Sequence, residues 1–198
     1  MEMNRRAFKM NYIGIDPGLN GGIAIIDQDN NVKLCIPMPV KNGEVDVRTL
    51  AVYIQNAIKE SQTFAILEKV GAMPGQGVCA MFTFGQVVGE IKATLKILKC
   101  PFEEVTPQKW KKCVLEGLPW KATISKFIAS ENADENTIAE LKKIHNRSKA
   151  SAKKDAKLVA CKFIEKRFPD VDLYKGKKNP HDGMAESLCM AVYAKQNC

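Results

Sequence analysis

Two acids near the end of the chain, Asp182 and Glu186 in "NPHDGMAESLCMAVYAKQ" (179–196), stand four residues apart with no basic residue between them. Ala185, Leu188, Cys189 and Val192 recur at helical spacing in the same segment, so both acids belong to one helix face. Like charges at that spacing repel by about 0.2–0.5 kcal/mol on an isolated helix, and by more once the helix packs. Two other acids sit in apolar surroundings: Asp16 ends "NYIGID", and Glu68 interrupts "FAILEKV". Burying an unpaired carboxylate is costly, so Glu68 needs a compensating partner. One reading is a salt bridge to Lys69 or another nearby lysine, although Lys69 points to the opposite face of a strand. Taken singly, Asp16 fits a turn before Pro17, Asp182 an N-cap, and Glu186 a solvated helix position. Taken together, four carboxylates without histidine or thiol company suit a hard cation, Mg²⁺ or Mn²⁺. Two such ions about 4 Å apart can clamp the attacking and leaving oxygens of a phosphodiester. His181, beside Asp182, is open to two readings: an outer ligand or proton carrier, or a structural residue at a helix start.

The elements that must hold these residues follow from periodicity. Short strands are expected over 11–16, 21–27 and 32–39, with "DQDNN" turning between the last two, which gives an antiparallel meander. A helix over 45–61 places Val47, Leu50, Ile54 and Ile58 on one stripe, and 63–70 reads as a buried strand. A helical pattern over 80–98, a strand over 101–107 and a helix opened by Pro107 come next. The pattern weakens over 118–148, which reads as an insertion with two short helical candidates. A helix from about Lys149 to Phe168 follows, with Ala152, Ala156, Val159 and Phe163 as its apolar stripe. Helices between the later strands imply an α/β architecture with a mixed sheet covered on both faces. A right-handed crossover sets the fourth long strand beside the first, bringing Asp16 and Glu68 to neighbouring strand ends.

With 198 residues, 45% of them hydrophobic, the chain supports one full-sized domain, taken as 11–198 after a polar leader over 1–10. No run reaches the roughly 18 apolar residues of a membrane span, and the leader lacks the features of a signal peptide. A soluble protein of the cell interior, cytoplasmic or elsewhere inside a host cell, with no membrane partner, is expected. The seven cysteines form no CxxC pair or Cys/His cluster and are expected to be reduced, small core residues. The formal net charge of +8 is concentrated: residues 138–178 carry thirteen Lys or Arg against five Asp or Glu. Such an excess is either a solvated helix face or the footprint of a polyanion such as nucleic acid.

Four segments in order, "NYIGIDPGLNGGIAIID", "FAILEKVGAMPGQGVCAMFTFGQVVGEIKATL", "VTPQKWKK" and "HDGMAESLCMAVYA", resemble the RuvC family of Holliday junction resolvases, particularly its bacteriophage and viral branch. The likeness covers most of the chain apart from the leader and the insertion. It implies a ribonuclease H-like fold with a mixed five-stranded sheet flanked by helices, and a homodimer. It also implies Mg²⁺-dependent nicking of two opposed strands at a four-way DNA junction, with two ions per site and Mn²⁺ able to substitute. The products would carry 5′-phosphate and 3′-hydroxyl ends. The resemblance carries the acidic tetrad onto Asp16, Glu68, Asp182 and Glu186. Bacterial members space the last two ligands three apart and close with aspartate, whereas the spacing here is four and the last acid is Glu186. Both spacings keep the pair on one helix face.

For nucleic-acid contact the resemblance points to the stretch from Lys149 to Lys157, with Lys149, Lys153, Lys154 and Lys157 as candidates, joined by Phe82 and Gln86 after the glycine-rich stretch. "GAMPGQGVCAMFTFG" lacks the GK[ST] ending of a nucleotide P-loop; Met81, Phe82 and Phe84 either wedge against unpaired bases or belong to the core of the next helix. Gly75 and Gly77 are expected to give the loop its backbone freedom. Three other readings stand beside the resolvase. A related nuclease could act on flaps or RNA–DNA hybrids, and the chain could be a non-catalytic junction-binding module. "IGIDPGLNGGIAIID" also resembles the first phosphate loop of actin-like ATPases, but no second phosphate loop or adenosine motif accompanies it.

Overall fold

The computed structural model describes residues 9–71, 77–120 and 135–198. Alternating apolar residues form β1 (Met10–Asp16), β2 (Gly22–Asp27) and β3 (Val32–Pro37), an antiparallel meander. Asp27 tightens the β2–β3 turn, its Oδ1 accepting from the amides of Asp29 and Asn31 at 2.8 and 2.9 Å. A small hairpin, β4 (Val40–Lys41) and β5 (Glu44–Val45), turns at Asn42 and Gly43, both with positive φ; the sequence reading did not separate it from its flanks.

The chain then runs through α1 (Val47–Glu60), β6 (Gln62–Glu68), α2 (Val78–Ile97), β7 (Phe102–Val105), α3 (Pro107–Val114), α4 (Glu135–Arg167) and α5 (Asp182–Asn197). The main sheet has the order β3-β2-β1-β6-β7, with β6 parallel to β1 and β7 parallel to β6. It is a mixed five-stranded sheet flanked by helices, the α/β architecture expected from the sequence. The strand pairing of Ile15 with Leu67 leaves Asp16 and Glu68 one step further along, side by side at the carboxyl ends of β1 and β6.

Each face of the sheet has its own core. Ile13, Ile15, Ile23 and Ile25 face Leu50 and Ile54 of α1 and Val87, Ile91 and Leu95 of α2. Tyr12, Ala24, Ile26 and Ile66 face the other way, toward Trp110 of α3, Ile164 of α4 and most of α5. The expected stripe of α1 is confirmed at its centre: Leu50 and Ile54 are fully buried, while Val47 and Ile58 pack at the margin.

Helix α5 departs from an amphipathic pattern. From Gly183 to Ala194 every residue but Glu186 is buried, because the helix lies on the sheet with α3 and α4 packed beside it. Its approach is backbone to backbone. A Cβ at Gly14 would collide with the Ser187 carbonyl oxygen, and one at Gly183 with that of Asn20.

Three further expectations need correction. Helix α4 starts at Glu135 rather than near Lys149 and runs for 33 residues, since nothing between those points, glycine or proline, stops it. Among its described residues the buried ones are Ala160, Cys161 and Ile164, followed by Phe168 just past its end, one step round from the expected stripe of Ala152, Ala156, Val159 and Phe163, whose members are only half-buried. The cysteines are all free, but Cys79, Cys113 and Cys198 are exposed rather than in the core. The remainder of the expected insertion, 121–134, lies outside the described residues, as does Gly75; Gly77 caps α2 with an ordinary φ of −64° and makes no use of left-handed freedom.

Candidate active site

Asp16 comes from the end of β1, Glu68 from the end of β6, and Asp182 and Glu186 from the first turns of α5. His181 caps that helix, its Nδ1 accepting from the Met184 amide at 3.2 Å, so Asp182 is the first helical residue and not the cap. A histidine accepting a backbone hydrogen bond must be neutral at that nitrogen, and burial accordingly holds the His181 pKa below its usual value.

The four acids share one electrostatic neighbourhood. Burial pushes the Asp16 carboxyl well above the usual range, and the charges of Glu68, Glu186 and Asp182 push it the same way, against Lys111. Glu68 is only 7% exposed. Burial raises its pKa as well, while a hydrogen bond from Trp110 works in the opposite direction. That bond, from indole Nε1 to Glu68 Oε1 at 3.0 Å, is the compensating partner that the sequence demanded. It comes from α3, forty-two residues away, not from a lysine.

Two ammonium groups occupy the other acids. Lys111 Nζ donates to Glu186 Oε1 at 2.5 Å, with the two side chains 20% and 13% exposed. Lys157 Nζ donates to Asp182 Oδ2 at 2.7 Å in a more open pair, 65% and 39% exposed. Burial tends to raise the Asp182 pKa, but the hydrogen bond and charge of Lys157 outweigh it and hold the carboxyl below its usual value. In return, the same hydrogen bond raises the pKa of Lys157.

Four carboxyl groups face only two ammonium groups here, so acid outnumbers base at the site. All four donors are hard carboxylate oxygens, which fits Mg²⁺ or Mn²⁺. Among the described residues no three His, Cys, Asp or Glu side chains stand close enough to hold a metal ion as they are. Three of the four carboxylates accept hydrogen bonds from protein donors instead.

Of the residues expected to touch nucleic acid, Lys157 lies at the site through Asp182, and Lys154 is exposed on the same helix. Lys149 and Lys153 lie on α4, with side chains outside the described residues. Phe82 is 70% exposed near the start of α2, with Gln86 exposed one turn on, while Met81 and Phe84 are half-buried. Sequence reasoning missed Trp110 and Lys111, although both stand in the quoted segment "VTPQKWKK".

A search of family models returns no match for this sequence, and neither does a search of curated proteins. Among solved structures, the chain is similar to Thermus thermophilus RuvC, at 11% identity and a TM-score of 0.46. It is also similar to T. thermophilus RuvC in complex with a Holliday junction substrate, at 11% identity and a TM-score of 0.47. Both matches cover 96% of this chain and 96% of the other.

Proposed function

We propose that this protein is a metal-dependent endonuclease that resolves branched DNA, four-way junctions above all, as a homodimer. The observation that carries the reading is the convergence of Asp16, Glu68, Asp182 and Glu186, from three separate elements, on the carboxyl end of a mixed sheet, where acid outnumbers base and a divalent cation would complement the excess. The four acids would hold two Mg²⁺, with Mn²⁺ able to substitute. When bound, these ions would supply a polarised phosphodiester and an activated water.

The chain's own residues do the rest. Glu68 and Asp16 are fixed at rigid strand ends, and Asp182 and Glu186 on a helix that cannot shift against the sheet. Lys157 and Lys111, next to the acids, are placed to contact phosphate oxygens once the carboxylates turn to the cation. Lys149, Lys153 and Lys154, all within α4, would add phosphate contacts along a DNA arm, and Phe82 with Gln86 in the first half of α2 would meet the junction centre. The cut would leave a 5′-phosphate and a 3′-hydroxyl. An isologous dimer matches a substrate with two equivalent strands, which favours a four-way junction, and a nuclease acting on flaps or RNA–DNA hybrids is the alternative that the test separates.

The test is cleavage of an immobile four-way junction in Mg²⁺, beside linear duplex, a flap and an RNA–DNA hybrid, by the wild type, Glu68→Gln and Glu186→Gln. The expected result is paired nicks in opposite strands of the junction, reduced at least about a thousandfold by either substitution while junction binding persists. Cutting that ignores branching, or that survives both substitutions, overturns the reading.

A further inference from the structure

We infer that Trp110 is a positioning residue that orients Glu68 toward the cation by donating a hydrogen bond without neutralising the carboxylate. This inference rests on the reading of Glu68 as a metal ligand. The other two acids with partners are held by ammonium groups, which compensate their charge and must give way if a cation is to use the same oxygens. Glu68 is different. The most buried acid of the four by exposure is bonded to a neutral donor.

The indole N–H is a donor only, so Glu68 Oε1 is constrained to accept, and the carboxylate keeps its full negative charge for a cation. The indole itself cannot drift. Trp110 is fully buried, it lies on a helix whose first turn is capped by Thr106, and its ring face carries the Lys111 ammonium at 4.9 Å from the centroid. One tryptophan thus joins Glu68, through its N–H, to Glu186, through the lysine that its ring supports. A buried tryptophan whose N–H merely needed an acceptor would find one in a backbone carbonyl. Here it spends that bond on a carboxylate at a strand end, in the manner of the partners that orient metal ligands elsewhere.

Two measurements decide the matter. In the first, Mn²⁺ binding to the wild type, Trp110→Phe and Glu68→Gln is followed by isothermal titration calorimetry. The phenylalanine keeps the ring and removes the donor. The expected result is a 10- to 100-fold loss of affinity in Trp110→Phe, roughly the range for partners of metal ligands. If Glu68→Gln weakens binding but Trp110→Phe binds as the wild type does, the positioning role is overturned and the active-site reading stands. If Glu68→Gln binds as the wild type does, both are overturned.

The second measurement leaves Trp110 in place. The sequence holds two tryptophans, so Trp120→Phe makes Trp110 the sole indole reporter. Addition of Mg²⁺ should shift its emission with a midpoint matching the calorimetric Mg²⁺ affinity of the same protein. Emission that is indifferent to saturating Mg²⁺ overturns the inference. This result decides alone should Trp110→Phe fail to fold.

Discussion

Asp16 carries a cost in the metal-free protein. Folding buries its carboxyl beside three other acids, so the folded state holds the proton more tightly than the unfolded one does. The sign follows: the penalty is absent below the unfolded value near 3.8 and grows as pH rises through the folded value. Asp16→Asn should therefore raise the thermal midpoint in EDTA at neutral pH, by about 2–4 °C for each kcal/mol relieved, and the gain should vanish toward pH 4. Scanning calorimetry across that range checks it. Asp182 behaves oppositely. Its lowered pKa contributes stability above the unfolded value, lost as pH falls through the folded one, and because the Lys157 pair is well exposed the loss in Asp182→Asn should stay within about 1 kcal/mol. At this scale the four acids are legible in the sequence, as charges interrupting apolar runs. Trp110 and Lys111 are not, because helical spacing tells that a tryptophan is buried but not which distant carboxylate its N–H will reach.

Among the elements, α3 has importance beyond its eight residues, since consecutive side chains on it reach Glu68 and Glu186. Its N-terminus is held by Thr106, whose hydroxyl accepts from the Lys109 amide at 3.4 Å, a long bond. Thr106→Ala should cost about 0.5–1 kcal/mol in urea denaturation, at the lower end for N-caps, and should weaken Mn²⁺ binding more than a surface change of equal stability cost. The order of strands and helices, and the parallel placement of β6 beside β1, are readable from periodicity and crossover handedness alone. The start of α4 is not readable, because the sequence from Glu135 to Ser148 is mostly polar and charged and gives only a weak hydrophobic period to announce it. Nor is the near-complete burial of α5 from Gly183 to Ala194, since its small residues on the polar side look like surface until two other helices are known to cover them.

For the molecule as a whole, the excess of positive charge has a direction. It lies on α4 and the link to α5, and Lys157 ties that surface to the acids. Junction affinity should fall steeply with salt, and Lys154→Gln should lower the slope of log K against log salt by about 1 without altering which strands are cut. Filter binding between low and moderate salt measures it. Sedimentation of the free protein should show a dimer, and a monomer that still makes paired cuts would contradict the symmetric arrangement. No helix among the described residues is long and apolar enough to cross a membrane.

The contact of α5 with β1 at Gly14 separates two properties that usually fail together. With a carbonyl of the helix resting where a side chain would stand, the helix has a single depth at which it can lie, and Asp182 and Glu186 move with it as a rigid pair. A Cβ at Gly14 would stand 1.9 Å from the Ser187 carbonyl oxygen and 2.5 Å from the Ala191 amide nitrogen, so Gly14→Ala must force the helix, and that pair with it, away from Asp16 and Glu68, at a cost above the roughly 1–3 kcal/mol of ordinary overpacking. Whatever fraction of such a protein folds would hold its four acids in the wrong places. A screen scored only by soluble expression would therefore say nothing about whether the four acids still meet, and the position has to be judged by cation binding as well as by stability.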